Sequence, residues 1–208
     1  MLKVCIDSCN LDLEYSIIND NKVLEKNVFS NKNQIAEELI PLIKCAIEKN
    51  NLKFNQIDEI YLTKGPGSYT GERLGLTFAK IYALLNKNTK IYLISSLKVL
   101  SLNALDKKVL TLIDARNNAC YGAIYQNGNL IVEEKRYEAK EIYDLYNSYH
   151  VDVVNYPVAQ TNIKNNFGDL NLNGVLTIDN MVNNLSYFDL VKDPINIKAV
   201  YFKGKNGY

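Results

Sequence analysis

The hydrophobic and polar positions of this chain follow two different periods, and together they predict an α/β fold. Short apolar runs that end in polar turns predict strands at residues 2–6, 11–18, 23–29, 57–63, 91–94, 109–113, 119–125, 130–137, 151–155 and 174–178. Apolar residues that recur at helical spacing predict helices at 33–49, 74–85, 97–105, 138–146 and 181–191. Pro41 falls inside the first of these helices, so we expect a kink or a break there.

The predicted elements repeat along the chain. One ungapped shift that places Asp7 on Asp114 also places the polar turn at 19–21 on the turn at 126–128. Each copy is therefore a strand, an Asp, a second strand, a hairpin turn, a third strand and a helix. The match over three strands indicates a duplicated unit.

A duplicated βββαβα unit is the plan of the actin, heat-shock ATPase and sugar-kinase (ASKHA, ribonuclease H-like) superfamily. The chain thus resembles that superfamily, which implies two such domains that face each other across a cleft. We expect an N-terminal domain at 1–105 and a smaller, reduced domain at 106–208. The reduction is indicated by a short, Asn-rich stretch at 161–173.

A glycine-rich run, GPGSYTGERLG at 65–75, lies between the fourth predicted strand and the second predicted helix. Such a position offers backbone N–H groups and a helix dipole to an anion. The run does not match a P-loop, because Glu72 replaces the Lys, or the GxGxxG fingerprint, because Thr70 replaces the third Gly. It is not a nucleophile elbow either. Two interpretations stay open: an unusual phosphate site, and a tight turn with Ser68 or Thr70 as the helix N-cap.

The charge balance narrows the class of function. The chain has 24 Lys and Arg against 23 Asp and Glu, a net charge of +1, so its overall charge does not indicate binding to nucleic acid or to a membrane. The N-terminus does not have the pattern of a secretion signal, and no apolar run approaches the roughly 20 residues of a membrane span. We therefore expect a cytoplasmic protein.

The histidine and cysteine content limits the chemistry. His150 is the only histidine, which excludes a two-histidine metal site, and we interpret it as a surface residue. The four cysteines form no CxxC pair, and we interpret them as buried free thiols in a reducing compartment.

Five motifs, in chain order, resemble those of the TsaB (YeaZ) family. The segment from Gly65 to Leu76 matches GPGSFTGLRIGL, with Tyr69 for Phe and Glu72 for Leu. The other matches are Ile6-Asp7-Ser8 for IDTS, Ser95-Ser96-Leu97 for SSL, Ile113-Asp114-Ala115-Arg116 for VDAR and, weakly, Tyr201-Phe202-Lys203 for YLR. The family-motif residues of the glycine run are Gly65, Pro66, Gly67, Ser68, Tyr69, Thr70 and Arg73.

This resemblance implies a subunit that acts by binding. The family is the non-catalytic partner in threonylcarbamoyl (t6A) modification of adenosine 37 in bacterial tRNAs that read ANN codons. It dimerises with the catalytic subunit TsaD and recruits the ATPase TsaE, and a homodimer in isolation is the alternative assembly. The near-neutral charge indicates that contact with tRNA is at most indirect.

The residues that follow the first strand of each predicted copy are consistent with a subunit that has no catalytic activity. A working ATPase of the superfamily has a glycine-bearing phosphate loop at each of these places, but 7–10 and 114–117 contain no glycine. We therefore expect no catalytic residue, no cofactor and no metal. The alternative is an ATP-dependent kinase or hydrolase of the superfamily, with Asp7 or Asp114 as the base.

The predicted helix at 74–85 has two apolar stripes, which indicates burial on both sides or a position at an interface. The resemblance implies that this helix and the first helix form the surface that pairs with a TsaD-like subunit or with a second copy. The residues predicted to bind the partner are Gly71, Leu74, Gly75, Phe78, Ala79 and Tyr82, together with Ile35, Leu39 and Leu42.

Overall fold

The computed structural model describes residues 1–31, 34–200 and 202, and these form two mixed β-sheets flanked by helices. The strands are β1 Leu2–Asp7, β2 Leu13–Asn19, β3 Lys22–Phe29, β4 Ile57–Thr63, β5 Lys90–Ile94, β6 Lys108–Asp114, β7 Ala119–Gln126, β8 Asn129–Glu138, β9 Val153–Pro157, β10 Leu172–Val175 and β11 Asp189–Leu190. The helices are α1 Ile35–Lys49, α2 Tyr69–Leu85, α3 Ser96–Ser101, α4 Ala139–Ser148, α5 Thr161–Asn166 and α6 Thr177–Asn183. Short 3-10 turns lie at Phe54–Gln56, Leu185–Tyr187 and Pro194–Asn196.

The two sheets have the same strand order. The first runs β3-β2-β1-β4-β5, with β11 added at its outer edge, and the second runs β8-β7-β6-β9-β10. In each sheet the first three strands of the half are antiparallel, while the fourth and fifth are parallel to the first. The predicted duplication and the α/β fold class are therefore confirmed.

The hairpin turns confirm the register of the duplication. Asp20 and Asn21 connect β2 to β3 with φ of 47° and 66°, and Asn127 and Gly128 connect β7 to β8 with φ of 52° and 73°. Two consecutive left-handed residues are what a two-residue type I′ turn requires. The shift that places Asp7 on Asp114 places one turn on the other without a gap.

Of the predicted kink or break at Pro41, the break is wrong, because α1 runs through this residue without interruption. Pro41 is exposed, while Leu39, Ile43 and Ala46 on the opposite face are buried in the core of the first sheet. Burial of apolar side chains on both sides of Pro41 offsets the loss of one backbone hydrogen bond. The helix begins at Ile35, and the predicted start at residue 33 lies outside the described residues.

The end of the second half differs from the prediction. The predicted strand at 174–178 is wrong beyond Val175, since α6 begins at Thr177, and the predicted helix at 181–191 ends early and gives way to β11. Helix α5 was not predicted. The apolar residues Ile178 and Met181 of α6 pack in a buried cluster with residues of the first half, and a short apolar run does not by itself distinguish a strand from a helix.

The last helix of each half packs on the sheet of the other half. Helix α3 contacts β6 and β7, and α6 contacts β1 and β2. In addition, β11 pairs with β5, so residues late in the chain complete the first sheet. The limits 1–105 and 106–208 stay a prediction, because the two halves share elements at their boundary.

Candidate functional site

A cleft of about 520 Å³ lies where the two halves meet. Its walls come from the turn after β1, the turn after β6, the N-terminus of α2 and the start of α1. The lining residues are Ser8, Cys9, Asn10, Leu11, Ile35, Ala36, Gly67, Ser68, Tyr69, Thr70, Gly71, Leu74, Ile113, Asp114, Ala115, Arg116, Tyr121 and Gln160. The cleft therefore brings the glycine run together with both Asp turns.

Helix α2 begins inside the glycine run, five residues before the predicted start at Leu74. The Ser68 hydroxyl is the N-cap and accepts a hydrogen bond from the Gly71 amide at 3.4 Å. The Ser68 amide donates to the Cys9 carbonyl at 2.6 Å. The Gly65–Pro66 peptide is cis, and Gly65 has φ of +93°. Of the two N-cap candidates, the structure selects Ser68.

Two glycines of the run allow the chain to pass directly over the turn after β1. A Cβ on Gly67 would lie 2.1 Å from the Cys9 carbonyl oxygen, and a Cβ on Gly71 would lie 1.7 Å from the Ser8 carbonyl oxygen. The Ser8 hydroxyl also donates to the Gly71 carbonyl at 2.7 Å. The space beside these glycines is filled by the backbone of the protein itself, which favours the tight-turn interpretation.

Asp7 is fully buried at the end of β1. Its carboxylate accepts hydrogen bonds from Thr63 Oγ1 at 2.6 Å, the Cys9 amide at 3.0 Å and Asn10 Nδ2 at 2.5 Å. Burial raises the pKa of Asp7, and these three donors oppose the increase. A carboxylate engaged in this way is poorly placed to take a proton from a molecule in the cleft.

A chain of amides connects the two Asp turns. Gln160 accepts from the Asp114 amide at 2.7 Å and donates through Nε2 to Asn10 Oδ1 at 3.2 Å. Asn10 Nδ2 in turn donates to Asp7 and, at 3.2 Å, to Thr177 Oγ1. Gln160 was not found by sequence reasoning, because it lies in no motif and its position depends on the packing of the two halves.

Glu14 is a second buried carboxyl that sequence reasoning did not find. It lies opposite Asp7 in the β1–β2 pairing and accepts a hydrogen bond from the Ile178 amide of α6 at 2.8 Å. Burial, together with the negative charges of Asp7, Asp12 and Asp179, raises the pKa of Glu14 to about 8. The contact joins the first sheet to a helix of the second half.

Most residues predicted to bind a partner lie inside the fold. The buried ones are Gly71, Gly75, Phe78, Ala79, Tyr82 and Leu39, and the half-buried ones are Leu74, Ile35 and Leu42. Tyr82 shows the reason, since its hydroxyl donates to the Phe54 carbonyl at 2.6 Å and accepts from the Ile57 amide at 3.1 Å. Their role in partner binding stays a prediction, and for the buried residues it would have to act through the positions of α1 and α2.

The outward side of α2 is also apolar near its C-terminus. Ile81, Leu84 and Leu85 are 52%, 54% and 78% exposed. At the other end of the helix the Arg73 guanidinium lies 3.8 Å from the centre of the Tyr69 ring, and both residues are exposed. Gly65 and Pro66 are buried, Gly67 is half-buried, and Ser68 and Thr70 are exposed.

The predicted burial of the cysteines is wrong at one position, Cys45, and the predicted exposure of His150 is confirmed. Cys5, Cys9 and Cys120 are buried free thiols, as predicted, but Cys45 lies on the exposed side of α1. His150 is exposed, also as predicted. Among residues 1–31, 34–200 and 202, no group of three or more His, Cys, Asp or Glu side chains could hold a metal ion. No helix in this part of the chain is long and apolar enough to cross a membrane.

The duplicated sheets and the cleft between them define an α/β protein built from two βββ-led halves. A solved structure from Pseudomonas aeruginosa, described as an uncharacterized protein with similarity to the peptidase YeaZ, has the same fold. It superimposes with a TM-score of 0.76 over 97% of this chain and 99% of that one, at 15% identity. Residues 22–166 match the family model "TsaD: tRNA N6-adenosine threonylcarbamoyltransferase", and the chain belongs to this family.

Two curated relatives refine the assignment. The tRNA threonylcarbamoyladenosine biosynthesis protein TsaB of Bacillus subtilis is 28% identical over 64% of this chain, and the match spans 59% of that relative's length. The uncharacterized protein MG208 homolog of Mycoplasma pneumoniae is 24% identical over 88% of this chain and 84% of its own length. The predicted resemblance to the TsaB (YeaZ) family is thereby confirmed.

Proposed function

We propose that this chain is a cytoplasmic, non-catalytic subunit of the machinery that adds the threonylcarbamoyl group to adenosine 37 of tRNAs that read ANN codons. The observation that carries the proposal is the family match over residues 22–166, together with the likeness to the Bacillus TsaB protein. In this proposal the chain pairs with a TsaD-like catalytic subunit and recruits a TsaE-like ATPase. Contact with tRNA is indirect.

The geometry of the cleft supports a binding role over catalysis. The space in which a phosphate would meet Gly67 and Gly71 is taken by the carbonyl oxygens of Cys9 and Ser8. Asp7, one of the two bases in the kinase or hydrolase alternative, is buried and accepts three hydrogen bonds. A phosphate loop needs a free approach to its glycine backbone, and Gly67 and Gly71 do not provide it.

The outward side of α2 is the surface that we assign to the partner. Ile81, Leu84 and Leu85 are exposed and apolar, and Ile40 of the neighbouring helix α1 is 49% exposed. Exposed apolar groups grouped on one helix face are typical of protein interfaces, and α1 and α2 are in contact. The buried residues Phe78, Ala79 and Tyr82 then hold the helix in place for the partner.

The test is co-purification of the chain with the TsaD-like subunit of the same organism, combined with measurement of t6A in tRNA by nucleoside mass spectrometry. Leu84→Asp should abolish binding and the activity of the reconstituted mixture, because it places a charge within an apolar contact. Leu130→Asp, at a residue 52% exposed on β8, is the matched control and should leave both unchanged. Wild-type chain that neither binds the TsaD-like subunit nor supports t6A formation would refute the proposal.

Calorimetry with ATP distinguishes the proposed binding subunit from the alternative, an ATP-dependent kinase or hydrolase. The proposal expects no binding to the isolated chain, whereas micromolar binding with turnover that is lost in Asp114→Asn would favour a kinase or hydrolase. Light scattering of the isolated chain reports whether it forms a homodimer. Loss of that homodimer in Leu84→Asp but not in Leu130→Asp would place both assemblies on the same side of α2.

A further inference from the structure

Glu72 is a buried acid in the first turn of α2, at the position where the TsaB-type segment has Leu. Its side chain is 2% exposed, although a carboxylate at a helix N-terminus ordinarily lies in solvent. The Gly67 amide hydrogen-bonds to the carboxylate, but Oε2 is buried without a hydrogen-bond partner among the described residues. The carboxyl group is therefore only partly satisfied where it lies.

The carboxyl group fills space that Gly65 leaves open. A Cβ on Gly65 would lie 2.6 Å from Glu72 Oε1, so any larger residue at 65 would displace the acid. The carbonyl of Gly65 accepts a hydrogen bond from the Ser96 amide at 2.9 Å, which ties the run to α3. Glu72 thus holds the inner side of the glycine run through Gly65 and Gly67.

The charged and titratable groups near Glu72 come from three elements. Arg73, on the same helix, favours the ionised form. Burial is the main cause that raises the pKa of the Cys9 thiol, on the turn after β1, and of the Tyr121 hydroxyl, on β7. The negative charge of Glu72 adds to the increase in each. Burial raises the pKa of Glu72 to about 7, because its effect is larger than the opposing effects of the Gly67 amide and the Arg73 charge.

We propose that Glu72 is a proton-dependent switch that controls how firmly the glycine run is seated against the turn after β1. While Glu72 carries a proton, the neutral acid stays inside and holds Gly65 and Gly67 in place. When it loses the proton to solvent, an ionised oxygen without a partner is costly in the interior, so water must enter or the side chain must leave. Either change loosens the wall of the cleft formed by 65–71.

The switch is a property of the loop and does not depend on a partner subunit. Its test is amide hydrogen exchange of Gly67 in the full chain between pH 5 and pH 8, corrected for the intrinsic pH dependence of exchange. Between pH 5 and about pH 7 the opening equilibrium should rise about tenfold per pH unit, and above that it should level off. Glu72→Gln, a neutral isostere, should show an opening equilibrium that does not change with pH.

Two further measurements keep the proposal falsifiable. Glu37→Gln, which changes an exposed acid in the first turn of α1, is the matched control and should retain the pH dependence of the wild type. If Glu72→Gln does not fold, Glu72→Leu replaces it, and the carboxyl of Glu72 can be titrated directly in the wild type by carbon NMR. A titration midpoint near that of a solvent-exposed Glu, or the same pH dependence in Glu72→Gln as in the wild type, would overturn the proposal.

Discussion

The two halves share one strand order but bury their equivalent Asp turns to different degrees. The turn that begins at Asp7 is covered by the N-terminus of α2, a helix of 17 residues, with Gly67 and Gly71 against its backbone. The turn that begins at Asp114 meets α5, which has six residues, TNIKNN, and no glycine. Asp7 is accordingly fully buried, whereas Asp114 is half-buried.

The turn after Asp114 has left-handed backbone conformations that the turn after Asp7 does not have. Arg116, Asn117 and Asn118 are exposed and have φ of 63°, 52° and 58°, three left-handed residues in succession. Each such residue costs on the order of 1 kcal/mol, and Asn tolerates the conformation better than most. The comparison shows that a shared topology does not fix the environment of equivalent residues. What differs is the segment that covers each turn, since Gly67 and Gly71 approach the first turn closely and α5 has no glycine.

The strongest test of this comparison is Gly71→Ala, which removes the close passage over the first turn. Its Cβ would lie 1.7 Å from the Ser8 carbonyl oxygen, a backbone atom that cannot move aside alone. We expect the free energy of unfolding to fall by about 3 kcal/mol or more, measured by urea unfolding. Gly174→Ala in β10 is the control, since its Cβ would meet the Val158 side chain at 3.2 Å. An equal loss in both variants would contradict the assigned role of Gly71.

The next test compares the two aspartates directly. Asp7→Ala leaves Thr63 Oγ1, the Cys9 amide and Asn10 Nδ2 without their buried acceptor, and should lower the free energy of unfolding by about 3 kcal/mol. Asp114→Ala should cost about 1 kcal/mol, because its neighbours reach solvent. Both values come from the same urea titration. If the two costs are equal, the difference in burial between the turns has no energetic consequence.

The third test is the pH dependence of the free energy of unfolding, and it concerns Glu14, the carboxyl opposite Asp7. The pKa of Glu14 is raised to about 8 in the folded chain, so the folded state retains a proton that the unfolded state loses at lower pH. The contribution of Glu14 to stability is therefore complete below the pKa of the unfolded chain and is lost as pH rises toward 8.

Glu14→Gln should remove this dependence while it keeps an acceptor for the Ile178 amide. Urea unfolding at pH 5 and pH 8 should show a smaller decrease in stability for the variant than for the wild type. Glu133→Gln, at an exposed residue of β8, is the control and should follow the wild type. A decrease as large in Glu14→Gln as in the wild type would exclude Glu14 as its source.

The smallest expected effect concerns the bridge between the turns. Gln160→Ala removes the hydrogen bonds to the Asp114 amide and to Asn10, and should cost about 1 kcal/mol of unfolding free energy. Asn162→Ala removes one exposed contact to Asp114 at 3.2 Å and should cost less than about 0.5 kcal/mol. Faster amide exchange at Asp114 in Gln160→Ala alone would locate the effect at the bridge, and equal exchange in both variants would not support it.

Sequence reasoning found the duplicated halves because their signals are local. Asp20-Asn21 and Asn127-Gly128 specify tight hairpin turns, and the apolar runs on either side have the lengths of strands. It found the glycine run for the same reason, together with Ser68 as one of two N-cap candidates. It did not find Gln160 or Glu14, because a buried polar residue has no periodic signature and its partners are more than 40 positions away.

The residues predicted to bind a partner show that helical periodicity alone does not tell which side of a helix is exposed. The stripes of α2 indicated two apolar faces, but periodicity does not tell which face a sheet covers. Packing against β4 and the turn at Phe54 buried Phe78, Ala79 and Tyr82, and left Ile81, Leu84 and Leu85 outside. The choice between the faces depended on contacts between distant segments.

The sequence by itself determined the two βββ-led halves, their hairpins and the position of a glycine-rich turn at a strand end, since each depends on the conformational preferences of neighbouring residues. The tertiary structure alone decided which groups are buried together: Asp7 under Gly67 and Gly71, Glu14 against Ile178, and Glu72 beneath Gly65. Burial and pKa shifts arise where segments far apart in the chain pack together and exclude water. A local pattern of residues does not indicate which distant segments will come together.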